Sequence, residues 1–420
     1  MLGSYREVMW PRLVANKILR KSVGSNNFVA DFPPDTDQKL LEASGLLDER
    51  PSFTSKSILL EQHKTTHLNY KVFASTWNVG GIVPDDGLDM DDLLETHKTP
   101  CDIYVLGFQE VVPLRASNVL GPDNNKVSAK WNSLIRETLN KGVAEPHRDK
   151  DVSESKGTNS ISQDFRCIIS KQMVGILITV WVRGDLWPYI RHPSVSCVGC
   201  GIMGCLGNKG SVSVRFQLHE TTFCFVCCHL ASGGRDRDER QRNSDVNEIL
   251  ARSSFPRGSS LDLPKKILDH DRVIFLGDLN YRISLPEEKT RLLVKSKEWN
   301  ILLENDQIFR GWQEGIVMFA PTYKYIPNSD LYYGCITYQK DEKKRAPAWC
   351  DRIIWYGSGL KQHEYARGET KISDHRPVKA IFTAEVTVIR HGKKIRNLFF
   401  SDRFEETIDV DAKDYSWIST

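Results

Sequence analysis

No part of this 420-residue sequence is both apolar enough and long enough to cross a bilayer as a helix, which takes about 20 residues. The strongest apolar run, Val174 to Val182, is half a span at most. A longer charge-free stretch, His192 to Asn208, is interrupted by Gly199, Gly201, Gly204 and Gly207. The N-terminus, MLGSYREVMW, lacks the apolar centre of a signal peptide, and leucine at position 2 excludes the Gly-second lipidation motif. Cysteine is too sparse for a disulfide scaffold, at 10 residues. With no signal peptide, reduced thiols in the cytosol or nucleus are expected. Charge of one sign is also lacking: 57 Lys and Arg stand against 54 Asp and Glu, a net +3 too mild to argue for nucleic acid. No internal repeat is visible. With 40% hydrophobic and 26% charged residues, a wholly disordered, collagen-like or coiled-coil chain is excluded.

Two CxxC pairs, Cys197 with Cys200 and Cys224 with Cys227, could in principle hold zinc. The second pair lies in TTFCFVCCHL, which reads as a buried strand. Strand alternation would point Cys224 and Cys227 to opposite faces, so buried apolar thiols are the better reading.

Residues 1–68 read as an extension. WPRLVANKILRK is a short basic amphipathic stretch, either a membrane-surface element or a helix docked on the main body, and the rest is linker-like. From Tyr70 strand-like segments appear at Val72–Thr76, Ile103–Leu106, Met173–Val182, Val212–Phe216, Phe223–Cys228, Val273–Leu276, Ile353–Trp355 and Val378–Val388. Helical spacing follows Val127 (Trp131, Leu134, Ile135, Leu139) and runs through Val246, Ile249 and Leu250. A further helix is expected from Ser284, with Glu287 completing a capping box. Residues 141–164 are polar and read as a mobile insertion; the tail, 393–420, is peripheral and acidic beyond Asp402. Strands and helices without regular βαβ alternation suggest an α/β protein of two packed sheets flanked by helices.

The chemistry gathers where apolar strands end. VFAST runs into Trp77-Asn78, IYVLGF into Gln109-Glu110, FCFVCC into His229, and VIFLG into Asp278-Leu279-Asn280. Asp374-His375 precedes PVKAIF, and Asp351 precedes IIW. Strand ends can meet along one rim of a sheet, on a rigid base. Each residue also has a structural reading: a turn cap for Asn78, a surface ion pair for Glu110, a satisfied strand-end imidazole for His229. As a set, the oxygen ligands suit magnesium, which takes few carboxylates and keeps waters or substrate phosphate. The histidines could bind or protonate phosphoryl oxygens.

STWNVGG, GFQEVVPL, GNKGSVSVRF, HLASG, FLGDLNYRI, PTYKY, RAPAWCDRIIWYG and SDHRPV resemble, in content and order, the inositol polyphosphate 5-phosphatases. They span about residues 70–390, and the N-terminal stretch and the 141–164 insertion are most similar to the plant, type I-like members. The resemblance implies a magnesium-dependent, deoxyribonuclease-I-like four-layer sandwich of the endonuclease/exonuclease/phosphatase class, with residues 69–392 as the catalytic domain. It makes Glu110 the main magnesium ligand, with Asn78 close by and Asp374 in support. Asp278 would activate water, Asn280 would hold the scissile phosphate, His229 and His375 would contact it, and Asp351 would orient His375. Tyr323, Lys324, Lys343 and Arg345 would bind a 4-phosphate, with Lys209 at the pocket border. Cys228 stands before His229 where the family often has serine.

The reaction so implied is hydrolysis of the 5-phosphate of phosphoinositides or soluble inositol polyphosphates by direct attack of water. Whether Asp278 or the His375–Asp351 pair is the base stays open, as does lipid against soluble substrate. A cysteine phosphatase is excluded because no cysteine has an arginine six positions later. GCLGNKGS has the wrong spacing for a P-loop. A nuclease of the same fold or a silent lipid-binding module are the rivals; the intact Glu110, Asp278 and His375 argue against the second. The expected protein is a monomer without nucleic-acid partner, cytoplasmic, with peripheral plasma-membrane contact and a nuclear location both open. Ile202, Met203 and Leu206, among glycines before Asn208 and Lys209, are read as an apolar loop that dips into a membrane beside the pocket, over the alternative that they fold into the core.

Overall fold

The computed structural model describes residues 27–31, 64–85, 87–121, 125–141, 164–201, 204, 206–257, 262–334 and 345–390. Among the described residues, twelve strands fall into two six-stranded sheets. The first holds β1 (Lys64–Asn78), β2 (Ile103–Gln109), β3 (Phe165–Met173), β4 (Ile176–Arg183), β11 (Leu360–Arg367) and β12 (Val378–Arg390), in the order β11-β12-β1-β2-β4-β3. The second holds β5 (Ile190–Gly199), β6 (Gly210–Leu218), β7 (Thr221–His229), β8 (Arg272–Asp278), β9 (Gln313–Glu314) and β10 (Asp351–Tyr356), in the order β5-β6-β7-β8-β10-β9. Both are mixed: β1 and β2 run parallel, as do β7 and β8, while the other pairs are antiparallel.

The central strands are buried on both faces, so they read as continuous apolar runs rather than alternations. Val72, Val105, Ile178, Phe225, Leu276 and Ile353 face the core between the sheets. Their neighbours Phe73, Tyr104, Phe108 and Trp181 face outward, onto α1 (Asp91–Leu94) and onto Trp131, Leu134 and Ile135 of α3 (Asn125–Leu139). On the far side, Cys224, Val226 and Phe275 pack against Val246 and Ile249 of α4 (Asp236–Arg252), where α2 is the short helix Ala116–Leu120. The result is the helix–sheet–sheet–helix sandwich the sequence implied. Cys224 and Cys227 lie in different apolar clusters, on opposite faces of β7.

Several expectations needed correction. Met173–Val182 is not one strand: β3 ends at Met173, Val174 takes φ +54°, and β4 returns from Ile176. A run of apolar residues carries no signal for a two-residue reversal except Gly175. The Ser284 capping box is absent. Ser284 follows the bridge between Ile283 and Asp306 and donates its N–H to the Asn305 carbonyl, and α5 (Glu287–Ser296) begins only after Pro286, followed by α6 (Trp299–Glu304). Leu206 is not at an exposed rim; it is 2% accessible and packs with Val119 and Val174. Ile202 and Met203 lie outside the described residues, as do WPRLVANKILRK, nearly all of the 141–164 insertion, and the tail. The boundary expected at 68 falls inside β1, which starts at Lys64.

Candidate active site

Strand register builds the site. In parallel pairing His229 of β7 stands opposite Asp278 of β8, and in antiparallel pairing Asp278 stands opposite Asp351 of β10. Three neighbouring strands of one sheet therefore present His229, Asp278 and Asp351 in a row at one edge. In the facing sheet, Asn78 at the end of β1 pairs with Gln109 at the end of β2, which delivers Glu110. The start of β12 lies beside the end of β1, with Thr76 opposite Val378, so Ser373-Asp374-His375 arrives at the same rim. The Ser373 hydroxyl donates to the Asn78 carbonyl at 2.7 Å, and the Trp77 indole N–H to the His375 carbonyl at 3.3 Å, locking the two segments together.

Within the rim the groups form two units. Asn78 Nδ2 donates to Asp278 Oδ2 at 3.0 Å, and the Asn280 backbone N–H to Asp278 Oδ1 at 3.1 Å. His229 Nε2 lies 3.2 Å from Asp278 Oδ2 and 3.8 Å from Glu110 Oε1, and also meets Lys209 Nζ. Beside this unit, His375 Nδ1 lies 2.8 Å from Asp351 Oδ2, which also accepts from the Thr322 hydroxyl at 2.7 Å. Ligand atoms of Asp278, Asp351 and His375 all fall within 4.8 Å of one another. Glu110 and Asn280 are held in the left-handed region, at φ +54° and +56°. Such backbone is costly for a side-chain-bearing residue and persists where the surroundings impose it. At Glu110 the β3–β4 turn does so: a Cβ on Gly175 would stand 3.3 Å from the Glu110 Cα.

Electrostatics separate the units. Burial alone would raise the Asp278 carboxyl, but the His229 hydrogen bond and the charges of His229, His375 and Lys209 outweigh it and hold Asp278 ionised, far below the usual carboxylate range. Burial pushes His375 down, while Asp351 and Asp278 push it up, to about 9. The Asp351–His375 pair therefore keeps a proton between its two members at neutral pH. Burial lowers Lys209 to about 8, against the pull of Asp278 and Glu110.

Of the other residues singled out, Tyr323 is buried and its ring lies tilted against His375, with centroids 4.5 Å apart and planes 39° apart. Lys324 Nζ sits 4.4 Å from the centroid of Tyr333. Arg345 lines a cleft of ≈ 670 Å³ with Arg282. The Asp374 carbonyl accepts from the Tyr325 N–H, and Lys343 lies outside the described residues. The Asn280 amide is engaged at both ends, donating to the Leu230 carbonyl and accepting from Arg282 Nη2 at 2.7 Å. Thr322, Arg282 and Ser373 escaped sequence reasoning. Each sits inside a quoted motif, but a hydroxyl or guanidinium in a loop gives no spacing signal of its own.

Residues 75–381 match the family described as Endonuclease/Exonuclease/phosphatase family 2. The chain is 88% identical to type IV inositol polyphosphate 5-phosphatase 9 of Arabidopsis thaliana, over 98% of this chain and 100% of that protein. It is 44% identical to type I inositol polyphosphate 5-phosphatase 8 of the same plant, over 90% of this chain and 86% of that protein, so both type labels occur among its relatives. A solved structure of the 5-phosphatase domain of SPsynaptojanin, in complex with inositol (1,4)-bisphosphate and a calcium ion, superposes with a TM-score of 0.63 at 28% identity, covering 82% of this chain and 89% of that one. The chain thus belongs to the inositol polyphosphate 5-phosphatases, phosphoric monoester hydrolases of the endonuclease/exonuclease/phosphatase family with a deoxyribonuclease-I-like fold.

Proposed function

We propose that residues 69–392 form a magnesium-dependent catalytic domain that removes the 5-phosphate from phosphatidylinositol 4,5-bisphosphate and 3,4,5-trisphosphate, or from inositol 1,4,5-trisphosphate and 1,3,4,5-tetrakisphosphate, by direct attack of water. The observation that carries this reading is the meeting of the ionised Asp278 with the protonated Asp351–His375 pair at one rim.

The residues fit a hard divalent cation. Glu110 offers a carboxylate whose side chain is 30% accessible beside the buried Asp278, and Asp351 Oδ1 is buried without a hydrogen-bond partner among the described residues. Glu110 would hold the ion, with Asn78 and Asp374 nearby; oxygen donors of this kind suit magnesium. Bound there, it would polarise a phosphoryl oxygen and offset developing charge. The relative's calcium ion is consistent with a divalent site of this kind. The Asp278–Asp351–His375 triad is a poorer cage, because His375 Nδ1 already shares a proton with Asp351.

Asp278 orients the attacking water and accepts its proton. A carboxylate held so low is a weak base, but a loose phosphoryl-transfer transition state needs little proton removal before it is reached. His375, charged and aligned by Asp351 and Thr322, donates to a phosphoryl oxygen. That division of labour favours Asp278 over the His375 pair as the proton acceptor. Tyr323, Lys324, Lys343 and Arg345 bind the 4-phosphate. The enzyme acts as a monomer in the cytoplasm, touching the membrane peripherally where a lipid is the substrate.

Phosphate release from matched lipid and soluble isomers, with and without magnesium, tests the reading. Asp278→Ala and His375→Ala should each lower kcat by roughly 10²–10⁴-fold, with little change in melting temperature. Full turnover in excess chelator would overturn the metal assignment. A large drop in melting temperature with a modest loss of turnover would assign these residues to structure.

A further inference from the structure

Residues 321–333, which carry Tyr323 and Lys324, fold back on themselves as a hairpin. Tyr325 bridges Tyr332, the Ile326 N–H donates to the Leu331 carbonyl at 2.8 Å, and the Tyr333 N–H to the Lys324 carbonyl at 2.9 Å. Backbone contacts join the base of this hairpin to the segment that carries His375. Tyr323 bridges His375, and the Tyr325 N–H donates to the Asp374 carbonyl at 2.8 Å.

Arg376, directly after His375, closes the arrangement and is fully buried. Its backbone N–H donates to the Thr322 carbonyl at 2.9 Å, and its Nη1 to the Ser373 carbonyl at 3.2 Å. Its Nη2 donates to the Ser329 carbonyl, at the turn of the hairpin. The guanidinium lies over the Tyr325 ring, 4.0 Å from its centroid. The Tyr325 hydroxyl in turn accepts from Arg367 Nη1 of β11 and lies 2.6 Å from the Tyr332 hydroxyl. One planar fork thus grips the turn of the hairpin, its aromatic centre, and the backbone two residues before His375.

This is a costly way to fill space. The Arg376 Nε is buried without a partner among the described residues. The carboxylate that Nη2 meets, Asp330 at 4.0 Å, is exposed and paired with Lys371 at 2.6 Å. A buried guanidinium answered by carbonyls rather than by a close carboxylate adds little to stability, and an apolar side chain of similar volume would pack as well. What arginine adds is geometry: it reaches two carbonyls and an aromatic face in fixed directions.

We propose that Arg376 is a positioning residue that holds the hairpin and His375 as one body, so that a phosphate gripped at Lys324 fixes where the neighbouring scissile phosphate stands against His375. The inference rests on the 4-phosphate reading of Tyr323 and Lys324 and deepens it. Binding energy from a group that does not react raises kcat only when it is expressed at the reacting atoms. A shared rigid body expresses it there, by fixing distance and orientation. The 4-phosphate then contributes to kcat and not to KM alone.

The test compares inositol 1,4,5-trisphosphate with inositol 1,5-bisphosphate in Arg376→Met, Arg376→Lys, Lys324→Ala, and Lys324→Ala combined with Arg376→Met. Arg376→Met should lower kcat on the trisphosphate about tenfold, short of the ~10²-fold that a misplacement of about 1 Å can cost. Its KM on the trisphosphate and its kcat on the bisphosphate should change by less than about twofold. Arg376→Lys keeps a donor for one carbonyl and should lose less. In the Lys324→Ala background, Arg376→Met should cost less than about twofold in kcat on the trisphosphate, because the grip it holds in place is gone. Melting curves check the fold, and if Arg376→Met melts below the assay temperature, Arg376→Lys carries the same comparison. A residue that only supported the fold would lower both compounds alike and add the same cost in both backgrounds. That result would overturn the inference, as would an unchanged kcat in Arg376→Met or a lysine variant no better than the methionine one. Lys324→Ala by itself tests the underlying reading. Equal losses on the two compounds would overturn the 4-phosphate pocket and the coupling with it. A loss confined to the trisphosphate, beside additive Arg376→Met costs, would overturn the coupling alone. Failure of the unsubstituted enzyme to release phosphate from either compound would overturn the 5-phosphatase reading on which both stand.

Discussion

Single residues in this fold are tuned by what surrounds them, and His270 shows it away from the active site. It is 4% accessible, packs edge-on against Phe255, and donates from Nδ1 to the carbonyls of Lys266 and Ile267. Its Nε2 is buried without a partner among the described residues. Burial lowers the imidazole from its ordinary 6.5 to about 4, against the pull of those carbonyls. The folded state therefore holds this histidine neutral while the unfolded chain takes up a proton. Stability from this group is fully present above pH 6.5 and is lost as pH falls towards 4, by roughly 3 kcal/mol at most. Melting temperatures of the parent and His270→Gln, followed from pH 7 to 4, should converge as the pH falls; parallel curves would show that the imidazole does not carry the effect.

Elements of the sandwich end in edges, and the edge strand β3 is covered by a piece of the N-terminal extension. Val29 bridges Ser170 through two backbone hydrogen bonds, and Lys171 donates to the Asn27 carbonyl. Asp31 accepts from the Cys167 N–H at 2.7 Å and binds Arg136 of α3 through both carboxylate oxygens. An open edge invites pairing with another chain, and a short covering segment prevents it. Asp31→Ala leaves the Cys167 N–H unsatisfied and should cost about 1–3 kcal/mol. Arg136→Ala keeps that bond and should cost less. Urea unfolding of both variants checks the order; equal costs would place the value in the ion pair, which both variants remove.

The whole molecule depends on two sheets approaching closely enough to share one core. Gly107 of β2 lies at a close approach of the two sheets: a Cβ there would stand 2.2 Å from Leu276 Cδ1 and 2.8 Å from Cys227 Sγ, both on the facing sheet. Gly107→Ala must push the sheets apart or force side chains off their rotamers, at a cost of about 1–3 kcal/mol. Because β2 leads directly to Glu110, turnover should also fall while KM changes little. Thermal melts with steady-state kinetics measure both; an unchanged melting temperature would mean that Leu276 and Cys227 yield freely.

Much of this architecture was legible in the chain itself. Apolar runs ending in Asn78, Glu110, His229 and Asp278 placed the chemistry at strand ends, since a strand buried on both faces has no other place for a charge. The spacing within α3 fixed its buried face, and the alternation in β7 separated Cys224 from Cys227. Only the tertiary structure decided the pairings. The register that sets His229 against Asp278 and Asp278 against Asp351 joins positions far apart in the chain, and no local pattern encodes it. The reversal at Val174-Gly175 and the burial of Leu206 depend on what packs against them. The same holds for charge: Asp278 is an ordinary carboxylate in the sequence, and it stays ionised in the core only because His229, His375 and Lys209 converge on it from three other segments.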